Sequence, residues 1–340
     1  MLEKLNVSKI ITSKKSIFKD ASVDSLIYIG NISDKQTENI DVSEIQDKKF
    51  IFKHSVSKDH IRKNDKLIFD IEVNHSIIPI IEKMKMNVSK INDLFDVCRG
   101  INPYDKYTGQ SPEIIASRAY HADYKKDDTF VPELKGRHID RYSEKWDEKS
   151  FISYGDWLAA PRESKYFTGK RIVFREILGK TLITTVLTKD IKIDRSLYIA
   201  LPLNENVDVY FVDGILNSPL MSFYFRYSNN EFDELFPKMR VAEFRELPIK
   251  NTSSENQQQI SLLVKKMLSL NETLQKKSTN FLKVVKQTFA LEKISTKLET
   301  FYNLDFDGFM KELKQKLTPM TKLEWLEVFE ETKKSLQEIQ

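Results

Sequence analysis

The spacing of the apolar residues changes once along this chain, near Asp208, and that change limits the fold more than any motif does. Before it, short β-rich runs follow one another: Phe151 to Tyr154, Arg171 to Phe174, Thr181 to Leu187 and Ser196 to Leu201. Such spacing predicts an antiparallel or mixed β unit. After it, Val209, Val212 and Leu216 recur on one helical face, and Asn217, Ser218 and Pro219 offer a cap with proline at the first position of a second helix. Ile260, Leu263, Met267, Leu270 and Leu274 then alternate by three and four, as a helix-packing seam requires. The seam weakens at Lys276, Lys277 and Ser278 and resumes at Phe281, Val284 and Leu291, which fits either a helical hairpin or one interrupted helix. A last helical stretch is predicted from Leu323 to Ile339, behind the turn Thr318-Pro319-Met320.

Upstream the pattern is looser. Residues 17–30 hold two short β-rich runs around a polar turn, Phe50 to Phe52 and Lys66 to Phe69 are strand-like, and Ile77 to Ile81 is ambiguous because of Pro79. With 340 residues, 40% hydrophobic and 31% charged, the chain has material for two packed units. No run approaches the ~18 apolar residues that span a bilayer, and the N-terminus has no apolar signal core, so a soluble, cytoplasmic protein is the expectation. The single cysteine, Cys98, excludes an intramolecular disulfide and a thiolate zinc cluster.

Catalytic motifs are mostly missing. There is no phosphate-binding loop, HExxH or GxSxG, and His54, His60, His75, His121 and His138 are scattered, so they read as surface or edge residues and no metal site is expected. Ile101 to Tyr104 is similar to the Asn-Pro-Pro-Tyr loop with which adenine-N6 methyltransferases grip a flipped base, but it has one proline and no cofactor-binding strand, loop and helix upstream. Glu133-Leu134-Lys135, with Asp123, Asp127 and Asp128, imitates the acids and lysine of a metal-dependent nuclease, yet the adjoining Gly136-Arg137 suits phosphate contact better. No catalytic residue is assigned.

The formal charge of +4 is too small to identify a partner, so its distribution has to. Residues 162–195 carry nine bases (Arg162, Lys165, Lys170, Arg171, Arg175, Lys180, Lys189, Lys192, Arg195) against four acids (Glu163, Glu176, Asp190, Asp194), a local excess of five interleaved with Tyr166, Phe167 and Phe174. Such a surface suits phosphate positioning with base-edge readout, the plain alternative being a charged face turned to water. Lys135 to Tyr142 adds three cations and a tyrosine around Gly136, where backbone can approach a phosphate.

These segments taken together resemble the TaqI-like specificity domain found behind the methyltransferase domain of type II N6-adenine restriction-modification proteins, including the type IIG fusions. The matching stretches are Ile17 to Tyr28, which looks like the last strands of the methyltransferase fold, Asp96 to Ile101, Leu134 to Tyr142, Lys170 to Arg175, Ile215 to Ser218, Phe236 to Lys238 and Phe244 to Ile249. The helical tail with Phe309 and Trp325 resembles that of the type IIG proteins less distinctively. The resemblance implies an α+β chain: a remnant of a methyltransferase sheet at 1–30, a connector at 31–90, a mixed β target-recognition domain at 91–250 and a long-helix packing or dimerisation region at 251–340. It further implies double-stranded DNA and a methyltransferase domain or subunit as partners. S-adenosylmethionine is expected in that absent domain and no cofactor in this chain, which is then not an enzyme by itself but a C-terminal fragment or a split subunit. Candidate DNA contacts are Arg99, Lys135, Arg137, Arg141, Arg162, Lys165, Arg171, Arg175, Lys180, Lys238 and Arg240, with Arg171 and Arg175 the favoured base readers. Rival expectations are a type I-like specificity subunit, with the 255–300 helices as a spacer, and a helical interaction scaffold that binds no DNA.

Overall fold

The computed structural model describes all residues except 1–4, 14–17, 19–24, 34, 64–70, 230–236 and 340. The expected strand Lys66 to Phe69, most of the first run of the 17–30 hairpin and Phe236 lie outside the described residues. The chain divides into two compact units, one of residues 1–91, 219–238 and 246–251 and the other of 92–218, 239–245 and 252–340.

In the first unit, β1 (Asn6–Thr12), β2 (Leu26–Asn31), β3 (Asn39–Gln46) and β4 (Lys49–Ser57) form one sheet in the order β2-β1-β3-β4, with β1 and β3 parallel. Residues 31–90, expected to connect, therefore supply two of its four strands. Val7, Ile10, Ile40, Val42, Val56 and Ile61 make its core. Lys58 is buried beside it, and its ammonium donates to Asn6 Oδ1 at 2.6 Å and Thr37 Oγ1 at 2.8 Å. The ambiguous Ile77 to Ile81 run is helical, Ile78–Met84, with its proline in the first turn where no amide hydrogen is needed.

The second unit holds two four-stranded sheets. One runs β11-β7-β8-β6, from Lys192–Ile193 (β11), Phe130–Leu134 (β7), Phe151–Ser153 (β8) and His121–Ala122 (β6); the other runs β10-β9-β12-β5, from Thr184–Leu187 (β10), Arg171–Arg175 (β9), Leu197–Pro202 (β12) and Phe95–Arg99 (β5). Leu134, Ile152 and Ile193 of the first share one core with Val173, Leu187, Leu197 and Ile199 of the second, so the two sheets pack face to face. The other face of the second sheet is covered too: Phe174 stacks on Tyr198 and on Phe244, and α1 (Val209–Leu216) contacts β9 and β10. Burial on both faces explains why Ile172, Val173 and Phe174 are apolar in succession rather than in alternation.

The helix α2 (Ser254–Thr288) is continuous for 35 residues, which decides between the hairpin and the single helix. Ser253 caps it by accepting from the Asn256 amide. Its first half lies on α1 at Gly214, where an added Cβ would come within 2.7 Å of Ile260 and 2.9 Å of Val264. Its last turns join α3 (Phe306–Leu313) and α4 (Pro319–Gln337) around Phe281, Val285, Phe301, Phe309 and Phe329. The expected seam holds in part: Ile260 lies on α1 and Leu274 packs on the helical core, but Ser261 and Val264 are the buried positions of the first half, while Leu263 is 63% and Met267 41% exposed. The close approach is made by Gly214 of α1, which admits Ile260 and Val264 of α2 and leaves Leu263 and Met267 on the outer side. Val264→Asp is accordingly expected to lower unfolding free energy by about 3 kcal/mol. Leu263→Asp should change it by no more than about 0.5 kcal/mol in the same urea titration.

Candidate nucleic-acid interface

The strand end at Arg99 and the turn between β11 and β12 meet because Gly100 lets them. A Cβ there would stand 2.3 Å from the Asp194 carbonyl oxygen and 2.5 Å from that of Ile193. The Gly100 amide donates to Leu197 O, the Ile101 amide to Ile193 O and the Asn102 amide to Ala160 O. The turn itself is set by Asp194, whose Oδ1 accepts from the Ser196 amide.

This backbone assembles four polar side chains. Arg99 donates through Nε to the Arg195 carbonyl at 2.7 Å and through its terminal nitrogen to Glu176 at 2.6 Å. Arg195 donates to Asn102 Oδ1 at 3.1 Å, and the Arg99 guanidinium lies over the Tyr198 ring. The side chains of Arg99 and Glu176 remain 43% and 24% exposed. Arginine, asparagine and glutamate are the residues that read guanine, adenine and cytosine edges, and these are held in place by one another before any ligand arrives. The sequence marked Arg99 as a contact and Arg195 as one of the 162–195 bases, but chose neither Asn102 nor Glu176, although Asn102 stands in the motif at 101–104. There Tyr104 stacks on Tyr120 and bonds His121.

Arg171 has to be withdrawn as a base reader. Its side chain is wholly buried and its fork donates to the carbonyls of Gly169, Lys189 and Ile191. Burial pulls its pKa down to about 10, which still leaves it charged at neutral pH. Arg175, at the other end of β9, is half-buried and has no side-chain partner among the described residues.

The remaining candidates are dispersed and largely paired. Lys135 lies 3.3 Å from Glu133, and Lys165 lies 3.2 Å from Asp96. Arg137 binds Asp147 and Ser150, each at 2.8 Å. Although burial pushes Asp147 up, Arg137, the Lys149 amide and His138 outweigh it and hold that carboxyl well below the usual carboxylate range. Arg141 is exposed, lies over Tyr142 and donates to Asn217 O; Arg162 donates to Gly100 O; Lys180 is exposed; Arg240 is exposed beside Glu243. Lys238 is exposed and belongs to the first unit. Of the 162–195 bases, Lys189 is bound to Glu144 and Lys192 lies over Tyr154 and Phe167. Two of these bases, Lys165 and Lys189, are thus paired with acids from outside the stretch, while its own Glu176 is paired with Arg99.

The nuclease-like acids do not gather: Asp127 accepts from Thr129, and Asp128 pairs with Lys125. His138, expected at the surface or an edge, is buried, with Nδ1 accepting from the Lys135 amide and Nε2 3.1 Å from Asp147. His121 does lie on an edge strand.

Residues 131–249 match the TaqI-like C-terminal specificity domain. The match begins in β7, includes Glu176 and Arg195, and takes in neither Arg99 nor the helical tail. That tail, residues 253–340, matches a domain of unknown function, DUF8810. No curated protein matches the sequence. Among solved structures, the chain is similar to the type IIG restriction endonuclease BpuSI (9% identity, TM-score 0.40, 78% of this chain and 39% of that one). It is similar also to the type IIL restriction-modification enzyme MmeI in complex with DNA (10%, 0.43, 98% and 46%) and to the type I system S subunit from M. genitalium (16%, 0.32, 63% and 48%). The chain spans less than half the length of each of these three.

Proposed function

We propose that this chain reads DNA sequence as the specificity module of a restriction-modification protein, with Arg99, Asn102, Glu176 and Arg195 as its base-edge readers. The match of residues 131–249 to a specificity domain carries the reading, and the mutually braced quartet supports the choice of surface. Arg137, Arg141, Arg162, Lys165, Arg175, Lys180, Lys238 and Arg240 are the proposed backbone contacts, with Lys135 behind them. Methyl transfer to adenine N6 from S-adenosylmethionine belongs in this proposal to a methyltransferase domain or subunit acting with this one, and any cleavage to a nuclease domain.

Binding should be electrostatic first and specific second. If about five exposed cations reach phosphates, log affinity for duplex falls with log salt at a slope of about −4 to −5, measured by fluorescence anisotropy. With the methyltransferase partner present, selection from a random-sequence duplex pool should yield one motif. Arg195→Ala or Asn102→Ala should cost about 1–3 kcal/mol on that motif and little on unrelated duplex. No duplex binding at low salt would overturn the DNA reading in favour of a protein-binding scaffold. An unchanged motif in both variants would move the readers elsewhere.

A further inference from the structure

We propose that His121, Glu133 and Asp194 hold one divalent transition-metal ion, zinc by the chemistry of its donors. Glu133 is 0% exposed, and neither of its carboxylate oxygens has a hydrogen-bond partner among the described residues. The cations near it, Lys135 Nζ and His121 Nε2, both lie 3.3 Å from the same oxygen, Oε2. Oε1 is left bare. Lys135 offsets the charge from one side only, so a buried carboxylate with Oε1 unbonded has room for a second cation placed between its oxygens and other donors.

The other two groups are held ready. Tyr104 stacks on Tyr120, accepts from the Tyr120 amide at 2.9 Å and meets His121 Nδ1 at 2.9 Å, which leaves Nε2 turned toward Glu133. A hydroxyl has two lone pairs and one proton, so Tyr104 can support either tautomer, including the one with Nε2 free for a metal. Asp194 is anchored by its amide to Leu134 O and by Oδ1 to the Ser196 amide. One donor atom from each residue lies within 4.8 Å of the other two. Donors around a tetrahedral zinc at ~2.0–2.1 Å stand roughly 3.3 Å apart, so modest side-chain rotation closes the set.

Charge and ligand type agree with that ion. Two carboxylates and a neutral imidazole balance a 2+ charge, and the bound ion would displace the Lys135 ammonium from Glu133. An imidazole among the donors favours zinc over magnesium or calcium, with a water completing the coordination. The sequence singles out Glu133 among nuclease-like acids but groups it with Asp123, Asp127 and Asp128; His121 and Asp194 lie on β6 and in the turn after β11, with no motif spacing to join them to it. The inference is independent of DNA reading, although the ion would brace the turn that carries Arg195.

The test is zinc titration of the full chain by calorimetry, with cobalt substitution read in the visible spectrum. Expected are saturable one-to-one binding, a raised thermal midpoint, cobalt bands of a four- or five-coordinate site, and no comparable response to magnesium or calcium. His121→Ala and Glu133→Gln should abolish the site, whereas Lys135→Met, which removes the competing ammonium, should bind zinc more tightly than the wild type. Absent one-to-one binding, binding unchanged in His121→Ala and Glu133→Gln, or no tightening in Lys135→Met each overturns the assignment. Should His121→Ala or Glu133→Gln not fold, the His121 ring nitrogens in the wild type decide: resonances that zinc leaves unmoved overturn it as well.

Discussion

Arg171→Ala is expected to lower the stability of the second unit by about 3–5 kcal/mol while leaving the salt slope of DNA binding unchanged. The side chain is fully buried, and its two terminal nitrogens donate to Gly169 O at 2.6 Å, Lys189 O at 3.0 Å and Ile191 O at 3.4 Å. Removing it strips three carbonyls of a charged donor and leaves a cavity beside the shared core of the two sheets. Lysine is no substitute, since a single ammonium cannot span three acceptors held by separate turns. The measurement is a pair of experiments on one variant: urea denaturation for stability, and anisotropy against salt at a temperature where the variant is folded. A phosphate contact would instead reduce the slope by about one and leave the urea midpoint in place. That outcome would restore Arg171 to the DNA surface.

The misplaced role of Arg171 shows what was legible and what was not. The strands at 151–153, 171–175, 184–187 and 197–202 follow the β-rich runs closely, because β-branched and aromatic residues cluster there. Which strands pair was hidden: β6 and β11 are two residues each and gain their identity only from their neighbours. Position on a strand likewise says nothing about face when both faces are buried, and the continuous run Ile172 to Phe174 was the clue that β9 has no free face for its first residue. Apolar period misled in α2 for a related reason. The stripe facing α1 is Ile260, Ser261 and Val264, admitted by Gly214, while Leu262 and Leu263 turn outward. The quartet at Arg99 needed the one fact that sequence withholds, that Gly100 brings residues 99, 102, 176 and 195 into one hydrogen-bonded group.

Stability should also fall as pH rises from about 4 to about 7, through Asp213. Its carboxyl is fully buried in α1, and burial pushes its pKa up to about 7 from an ordinary 3.8, against the opposing hydrogen bond from Thr184, the influence of Asn217 and the charge of Arg141. The hydrogen bonds run in one direction: Asn217 Nδ2 donates to Thr184 Oγ1 at 2.7 Å, and that hydroxyl donates to Asp213 Oδ1 at 2.6 Å. Asp213 Oδ2 has no hydrogen-bond partner among the described residues, so the protonated form suits the site and the anion does not. Below the unfolded pKa both states carry the proton and the group is neutral in the balance. Between the two values the unfolded chain releases it and the folded chain keeps it, so the unfolded state gains, by about 1.4 kcal/mol for each pH unit and roughly 4 kcal/mol in all. Above pH 7 the loss is complete and the dependence flattens. Asp213→Asn keeps the acceptor for Thr184 and cannot ionise, at the cost of an amide nitrogen with no acceptor, about 1–2 kcal/mol. The variant should therefore be less stable than the wild type near pH 4 and more stable near pH 8, and the two curves of urea midpoint against pH should cross in between. Comparison at each pH cancels every other titrating group, His138 and His60 included. Parallel curves would mean that Asp213 is ionised in the folded state throughout, and that Arg141 compensates its charge more fully than one guanidinium bonded to Asn217 O would suggest.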